Sequence, residues 1–380
     1  MHSYSYELEQ VQDKDGVCVN DYKIEDCYDC QFFGGSPEAA ESAMAWDRCK
    51  NNPGHTTFIP ISEFCLEHLP ELYRSQSVLD SVKTIADVTV KLVVKHNSKR
   101  RIEFERYCYS LSEDATYHVG SGWIVGVKKG YGACIGCPEC SPTSATQLEG
   151  PPIDKGKWFS VSIVTATHVV FNVDEAEATE VQIFYKDKLS RKDKRMKIVY
   201  GESIERGCTQ DDSCVLRCVT HDKHLATELE LNVKRMREIF VKQDREYNVK
   251  VPEWEPFPEN RLCIMVSHPH GQPTMVTLGE RKQIDIPPEE GQVKESTEHT
   301  RLVRVKDPIF YNTKSCPGSS GAPVFMPKCI ETRRKDPDEI FSVADALVIR
   351  SHSLGNVKVG VGMSAGLPPL QILPPPALVM

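Results

Sequence analysis

No stretch of the chain approaches 18 uninterrupted apolar residues, so no segment reads as a membrane-spanning helix. A basic excess is missing too. Against 54 Asp and Glu stand 46 Lys and Arg, a formal charge of −8 at pH 7, whereas a duplex-binding surface needs positive charge to displace counterions. Neither membrane nor nucleic acid is therefore an expected partner. Residues 1–15, MHSYSYELEQVQDKD, contain no basic n-region and no apolar core, so a secretory leader is not expected and the cytoplasm or nucleus is the expected compartment. No internal repeat is visible, and a repeat array is not expected. What is present is the profile of an ordinary globular chain: 380 residues, 40% apolar and 26% charged.

Cysteine is the exception to this ordinary profile, at 15 residues. In a reducing compartment clustered cysteines read as metal ligands before they read as disulfides. Cys18, Cys27, Cys30, Cys49 and Cys65 fall in the first 70 residues beside His55 and His68. Cys27-x2-Cys30 forms a knuckle, and Cys65-x2-His68 places a thiolate and an imidazole at i and i+3 of an expected helix. Two such pairs suit the tetrahedral preference of zinc, so Cys27, Cys30, Cys65 and His68 are the candidate ligands of a structural zinc. Cys49-x5-His55 is a third pair. A small helical subdomain with buried thiols is the alternative, and spacing does not choose between the pairings.

The hydrophobic period changes along the chain. Residues 37–50, opened by Ser36 as a cap and Pro37 in the first turn, predict a helix, and residues 61–74 (ISEFCLEHLPELYR) predict a second, amphipathic one. From about residue 81 short Val-, Ile-, Phe- and Tyr-rich runs follow at regular spacing, among them DVTVKLVVK, SGWIVGV, KWFSVSIV, CVLRCV, LCIMVSH and GAPVF. That pattern predicts an all-β barrel or sandwich. One helical stretch, residues 224–243, interrupts the strands and reads as a connector between two β halves. KDKLSRKDKRMK reads as a solvated hairpin tip, and the Pro-rich residues 367–380 as an extended tail. The division is thus 1–80, 81–366 and 367–380.

Three strings in the β region carry chemistry, in the order His, Asp, Ser. SIVTATHVV delivers His168 at the end of an apolar strand. TQDDSCVLRC places Asp211 and Asp212 before another, and KSCPGSSGAPVF sets Ser320 in a glycine-flanked turn. A serine hydroxyl is a weak nucleophile until an imidazole accepts its proton, and the imidazole needs a buried carboxylate to orient it. Glycines in the turn let backbone amides converge on one oxyanion, and Gly318 and Ser320 supply the expected donors.

These strings resemble those of the trypsin-like, chymotrypsin-fold serine peptidases, whose histidine follows T-A-x-H and whose serine lies in G-D-S-G-G-P. His168 and Ser320 take those places, and Asp212, 44 residues beyond His168 and followed by Ser213-Cys214-Val215-Leu216, takes the aspartate's in preference to Asp211. Gly120-Ser121-Gly122-Trp123 is similar to the strand preceding the histidine, and Val266–Gly271 to a strand-turn of HtrA-type peptidases. That turn also accounts for His268-x-His270 without a metal. The resemblance covers residues 81–366. It implies a mainly β chain of two six-stranded antiparallel barrels with a small α-rich, Cys/His-containing N-terminal module, and a serine endopeptidase acting on protein or peptide substrates.

Departures from the family pattern are informative. Ser319 stands where secreted members carry the aspartate that pairs with a freshly cut N-terminus. Val169 replaces a disulfide cysteine, and Cys316 has no obvious partner. The chain in these respects resembles intracellular members, and invertebrate proteins that join a cysteine-rich N-terminus to a trypsin-like part. The resemblance sets Lys314 at the base of the primary specificity pocket, where cleavage after Lys or Arg would set two cations face to face and is not expected; a Lys314 that points to solvent is the alternative. Ser351 and His352 fall on the strand that the resemblance makes a pocket wall. Cys134, Cys137 and Cys140 sit in an insertion before His168, where they could hold zinc with a fourth ligand such as Cys208 or remain exposed thiols. A non-catalytic scaffold with a zinc-type interaction module is the competing reading of the whole.

Overall fold

The computed structural model describes residues 31–33, 38–103, 117–131, 157–208, 212–250, 262–282, 309–327, 348–351, 354–356 and 361–364. Its first part holds strand β1 (Gln31–Phe33), helix α1 (Glu38–Asp47), the short strand β2 (Ile59–Pro60) and helix α2 (Gln76–Val88). Six strands follow: β3 (Thr89–Val94), β4 (Tyr117–Tyr131), β5 (Lys157–Thr165), β6 (Thr179–Ile183), β7 (Lys197–Cys208) and β8 (Ser213–Thr220), with helix α3 (Val173–Glu177) before β6. Helix α4 (Lys223–Lys250) leads to β9 (Leu262–Ser267), β10 (Met275–Lys282), β11 (Ile309–Tyr311), β12 (Pro323–Met326), β13 (Val348–Ser351), β14 (Leu354–Asn356) and β15 (Val361–Ser364).

The first sheet is a closed ring. Neighbours run β4-β3-β6-β7-β8-β5, all antiparallel, and β5 pairs back onto β4, so the six strands form a barrel with β1 added outside β4. Closure leaves no bare edge to satisfy, and the interior fills with branched side chains, among them Val90, Leu92, Ile124, Val161, Ile163, Val181, Ile183 and Leu216. Leu225, Leu229, Val233 and Met236, at helical spacing on α4, join the same core. The helical stretch expected at residues 224–243 lies within α4, which packs against the barrel it leaves.

The second sheet runs β13-β12-β9-β10-β11-β15-β14, with β2 beside β10. A second six-stranded barrel is expected from the resemblance; among the described residues this sheet does not close. Its apolar face packs on the N-terminal residues. Ile61, Phe64, Leu69, Tyr73 and the α2 residues Val78, Leu79, Val82, Ile85 and Ala86 share one core with Leu262, Ile264, Val266, Val276 and Phe325. The division expected at residue 80 falls inside α2, whose N-terminus is capped by Ser75 Oγ accepting from Val78 N at 3.3 Å.

Residues 61–74 are not the amphipathic helix their periodicity predicts. They form two short 3-10 turns, Leu66–His68 and Glu71–Tyr73. Pro70 is the reason. Its ring removes an amide donor and disfavours helical geometry at Leu69, so the chain must break there. Among the described residues no helix is long and apolar enough to cross a membrane.

Candidate active site

His168 lies just past the end of β5, and Asp212 just before β8, two strands paired antiparallel from Phe159↔Thr220 to Thr165↔Cys214. That pairing brings the two residues together. Asp212 Oδ2 meets His168 Nδ1 at 2.7 Å, and Asp212 Oδ1 accepts from the backbone N–H of His168 at 3.0 Å. Both side chains are buried, 3% and 9% exposed, where a carboxylate–imidazole contact is least screened. Asp212 adopts φ 45°, a left-handed conformation that Asp tolerates better than most residues and that points both oxygens at one neighbour.

A second buried pair braces the histidine from behind. Arg101 Nε and Nη2 donate to the two carboxylate oxygens of Glu175, each at 2.6 Å, and Arg101 Nη1 donates to the carbonyl of His168 at 2.9 Å. Burial works to raise the Glu175 pKa, but the Arg101 hydrogen bonds and charge outweigh it and hold the carboxyl below its ordinary range. Backbone amides of Ser98 and Phe171 also donate to Glu175, so every lone pair of this buried anion faces a donor. His118, below the same loop, sits against the Val169 carbonyl at 2.7 Å, and burial together with the nearby Arg101 charge depresses its pKa to about 4.

Ser320 stands in the turn between β11 and β12, held against the barrel by β4. Ser121 N donates to the Ser320 carbonyl at 2.7 Å, Ser121 Oγ donates to the Gly318 carbonyl at 2.7 Å, and His268 N donates to Ser121 Oγ at 2.9 Å. Gly318 and Gly321 have φ of 98° and 83°, which glycine adopts freely. At Gly321 a Cβ would collide with the Ser121 carbonyl and the Thr165 hydroxyl, so the turn lies directly on the strand end that leads to His168. Ser320 Oγ is buried and finds no hydrogen-bond partner among the described residues. Among the described residues no carbonyl or side chain accepts from the Gly318 or Ser320 amide.

The other expected site residues are placed unevenly. Lys314 is exposed, and its carbonyl accepts from Thr277 Oγ1 at 2.9 Å. Ser351 ends β13, paired opposite Pro323 of β12. Cys65 Sγ lies 3.1 Å from His68 Nδ1 in an exposed 3-10 turn, while Cys27, Cys30 and His352 fall outside the described residues, as do Cys134, Cys137 and Cys140. The Arg101–Glu175 brace and the Ser121 bridge are not visible in sequence. Neither carries a motif, because their roles arise only when distant strands meet. A further group, Cys49, His55, His270 and Cys316, has its ligand atoms within 4.8 Å of one another.

No protein-family model matches the chain, and no curated protein matches it. Among solved structures the chain is similar to Deg5 at 13% identity, with 67% of this chain and 81% of that one covered and a TM-score of 0.31. It is similar to the Rv3671c protease in an inactive form at 11% identity, covering 76% and 89%, with a TM-score of 0.31. An inactive mutant of Rv3671c from M. tuberculosis H37Rv gives 11% identity, 78% and 86% coverage and a TM-score of 0.31.

Proposed function

We propose that this chain is a serine endopeptidase in which Ser320 attacks, His168 moves the proton and Asp212 orients the imidazole. The observation that carries the reading is the double hold of Asp212 on His168, through Nδ1 at 2.7 Å and the backbone N–H at 3.0 Å. An Nδ1–H donated to a carboxylate fixes the tautomer that leaves Nε2 as the base. In the reaction Ser320 Oγ adds to the scissile carbonyl as its proton passes to His168 Nε2. The oxyanion settles on the Gly318 and Ser320 amides, and the intermediate collapses with the proton delivered to the leaving amine. Water then adds to the acyl-enzyme by the reverse proton path, releasing the acid and restoring the serine.

Protein or peptide substrates fit this chemistry. The resemblance sets Lys314 at the base of the primary pocket, but its side chain is exposed, so only a solvent-screened charge opposes a P1 Lys or Arg. Cys214 is a buried thiol in no disulfide among the described residues, which agrees with a cytoplasmic or nuclear setting. A trypsin-like scaffold without turnover is the second reading, and the full burial of Ser320 favours it. A fluorophosphonate probe separates the two. Wild-type protein at neutral pH should label on Ser320 and cleave a peptide library, and Ser320→Ala should lose both activities by on the order of 10⁴-fold or more. Wild-type protein that takes up no label, while a known serine peptidase does so in the same tube, would establish the scaffold instead.

A further inference from the structure

Cys49 and His55 come from the N-terminal segment, His270 from the turn after β9, and Cys316 from the loop that leads to Ser320. Cys316 lies 267 residues from Cys49 and 261 from His55, so only the fold brings the two pairs together. Three of the four side chains are buried and Cys49 is partly so. We propose that these four residues form a closed, structural zinc site that staples the N-terminal segment to the back of the Ser320 turn.

Geometry carries the proposal. A tetrahedron's edge is about 1.6 times its centre-to-corner length, so Zn–S bonds of about 2.3 Å and Zn–N bonds of about 2.0 Å set sulfur–sulfur edges near 3.8 Å and sulfur–nitrogen edges near 3.5 Å. Cys49 Sγ and Cys316 Sγ are 3.6 Å apart, and Cys316 Sγ and His55 Nε2 are 3.5 Å apart. A disulfide needs sulfurs at about 2.0 Å and has no use for two imidazoles beside it. Two thiolates with two imidazoles is a donor set that selects zinc over hard cations.

An outer shell is already built around the four. Asn52 Nδ2 donates to Cys316 Sγ at 3.0 Å and to the Ser315 carbonyl at 2.7 Å, and Asn52 N donates to Cys49 Sγ at 3.4 Å. Such N–H···S contacts stabilise thiolate charge. His270 Nδ1 faces Gln31 Oε1 at 2.8 Å, a contact that leaves Nε2 as the ligand nitrogen, and Trp46 of α1 stacks on His55 with centroids 3.5 Å apart. Both histidines hold left-handed φ, 48° and 51°, a conformation non-glycine residues adopt rarely and at a cost. A shallow surface depression of about 340 Å³, lined in part by Gln31, Arg48, Cys49 and His270, opens the group to incoming metal.

The site lies against the candidate oxyanion turn. His270 N donates to the Pro317 carbonyl, and a Cβ on Gly318 would stand 2.7 Å from the His268 carbonyl and 2.9 Å from His270 N. Metal at Cys316 and His270 would fix both walls of that contact.

Full-length protein purified in zinc-containing medium tests this without any peptidase assay. Cys49→Ser, His270→Gln and Cys316→Ser should each remove one equivalent of zinc per chain, while Cys65→Ser keeps the wild-type content. Peptide-resolved alkylation of the wild type covers the case in which a variant fails to fold. Cys49, the partly exposed ligand, should react slowly as purified, quickly after chelation, and slowly again after one equivalent of zinc is returned. Zinc content unmoved by Cys49→Ser, loss on Cys65→Ser instead, or Cys49 alkylation indifferent to chelator would overturn the site. Because these readouts are metal content and thiol protection, they stand or fall apart from labelling of Ser320.

Discussion

At Gly321 two requirements meet. Its φ of 83° lies where a side chain is strained, and the space a Cβ would need is taken by the Ser121 carbonyl and the Thr165 hydroxyl. Gly321→Ala must therefore push the Ser320 turn away from the strand end that positions His168. Folding free energy should fall by about 2–4 kcal/mol, read as a lower denaturant midpoint, and probe labelling of Ser320 should slow at least tenfold. A variant matching wild type on both counts would show that the turn does not rest on the barrel as described. Such residues separate what was legible from what was not. His168, Asp212 and Ser320 stand out in sequence because the proposed roles of base, orienter and nucleophile admit few residue types and bring their own turns and strand ends. Arg101, Glu175 and Ser121 belong to common types with no local signature, and each acquires its role from a strand or loop far away in the chain. Cys49 and His55 were visible as a pair, but nothing in their spacing reveals that His270 and Cys316 complete the group.

Elements were legible where one hydrophobic period ran unbroken. β3, β5, β8 and β9 follow the apolar runs read from sequence, and α4 follows its 3.6-residue stripe. β7 is hard to read from sequence for a physical reason. Its pairing with β8 slips between Gly201 and Ser203 and again between Ile204 and Arg206, and each bulge inserts a residue that spoils strict alternation. The 61–74 segment errs the other way, since its apolar spacing is helical while Pro70 forbids the helix. α2 has both signals, a Ser75 cap and apolar residues at 78, 79, 82, 85 and 86, yet it is not among the helices expected from sequence. Its inward face predicts its worth. Val82 is 0% exposed between α2 and the second sheet, so Val82→Ala should cost about 2 kcal/mol in a denaturant titration. Lys83→Ala, on the solvent side of the same turn, should stay within about 0.5 kcal/mol. Equal effects at the two positions would mean that α2 does not pack where it is placed.

At the scale of the whole molecule, the described residues of the barrel and the second sheet meet through buried polar groups. Ser121 ties to Ser320, Gly318 and His268, Thr274 N donates to the Tyr185 carbonyl, and the buried Lys91 ammonium donates to the Gly271 carbonyl at 2.7 Å. His268 stands in this junction with Nδ1 against the Gln272 carbonyl at 2.9 Å, its ring stacked on Tyr185 and its pKa lowered to about 3 by burial, with the Lys91 charge adding to the effect. His118, at about 4, lies under the His168 loop among Asn97, Arg101 and Glu175. Both imidazoles are held neutral in the fold and regain an ordinary pKa near 6.5 when unfolded. Between those values the unfolded chain binds more protons than the folded one, so stability rises with pH across that interval. The contribution is complete above about pH 6.5 and drains away as pH falls toward 4 and then 3. At pH 4.5 the two groups should together have removed about 5 kcal/mol, roughly 2–3 kcal/mol each. Denaturant midpoints measured from pH 7.5 to 4.5 should therefore drop steeply, and His268→Gln should flatten the slope by about half even though it lowers stability at pH 7.5. A wild-type midpoint that holds level from pH 6.5 to 4.5 would mean that neither imidazole is buried neutral, and that protons reach the junction between the two sheets without opening it.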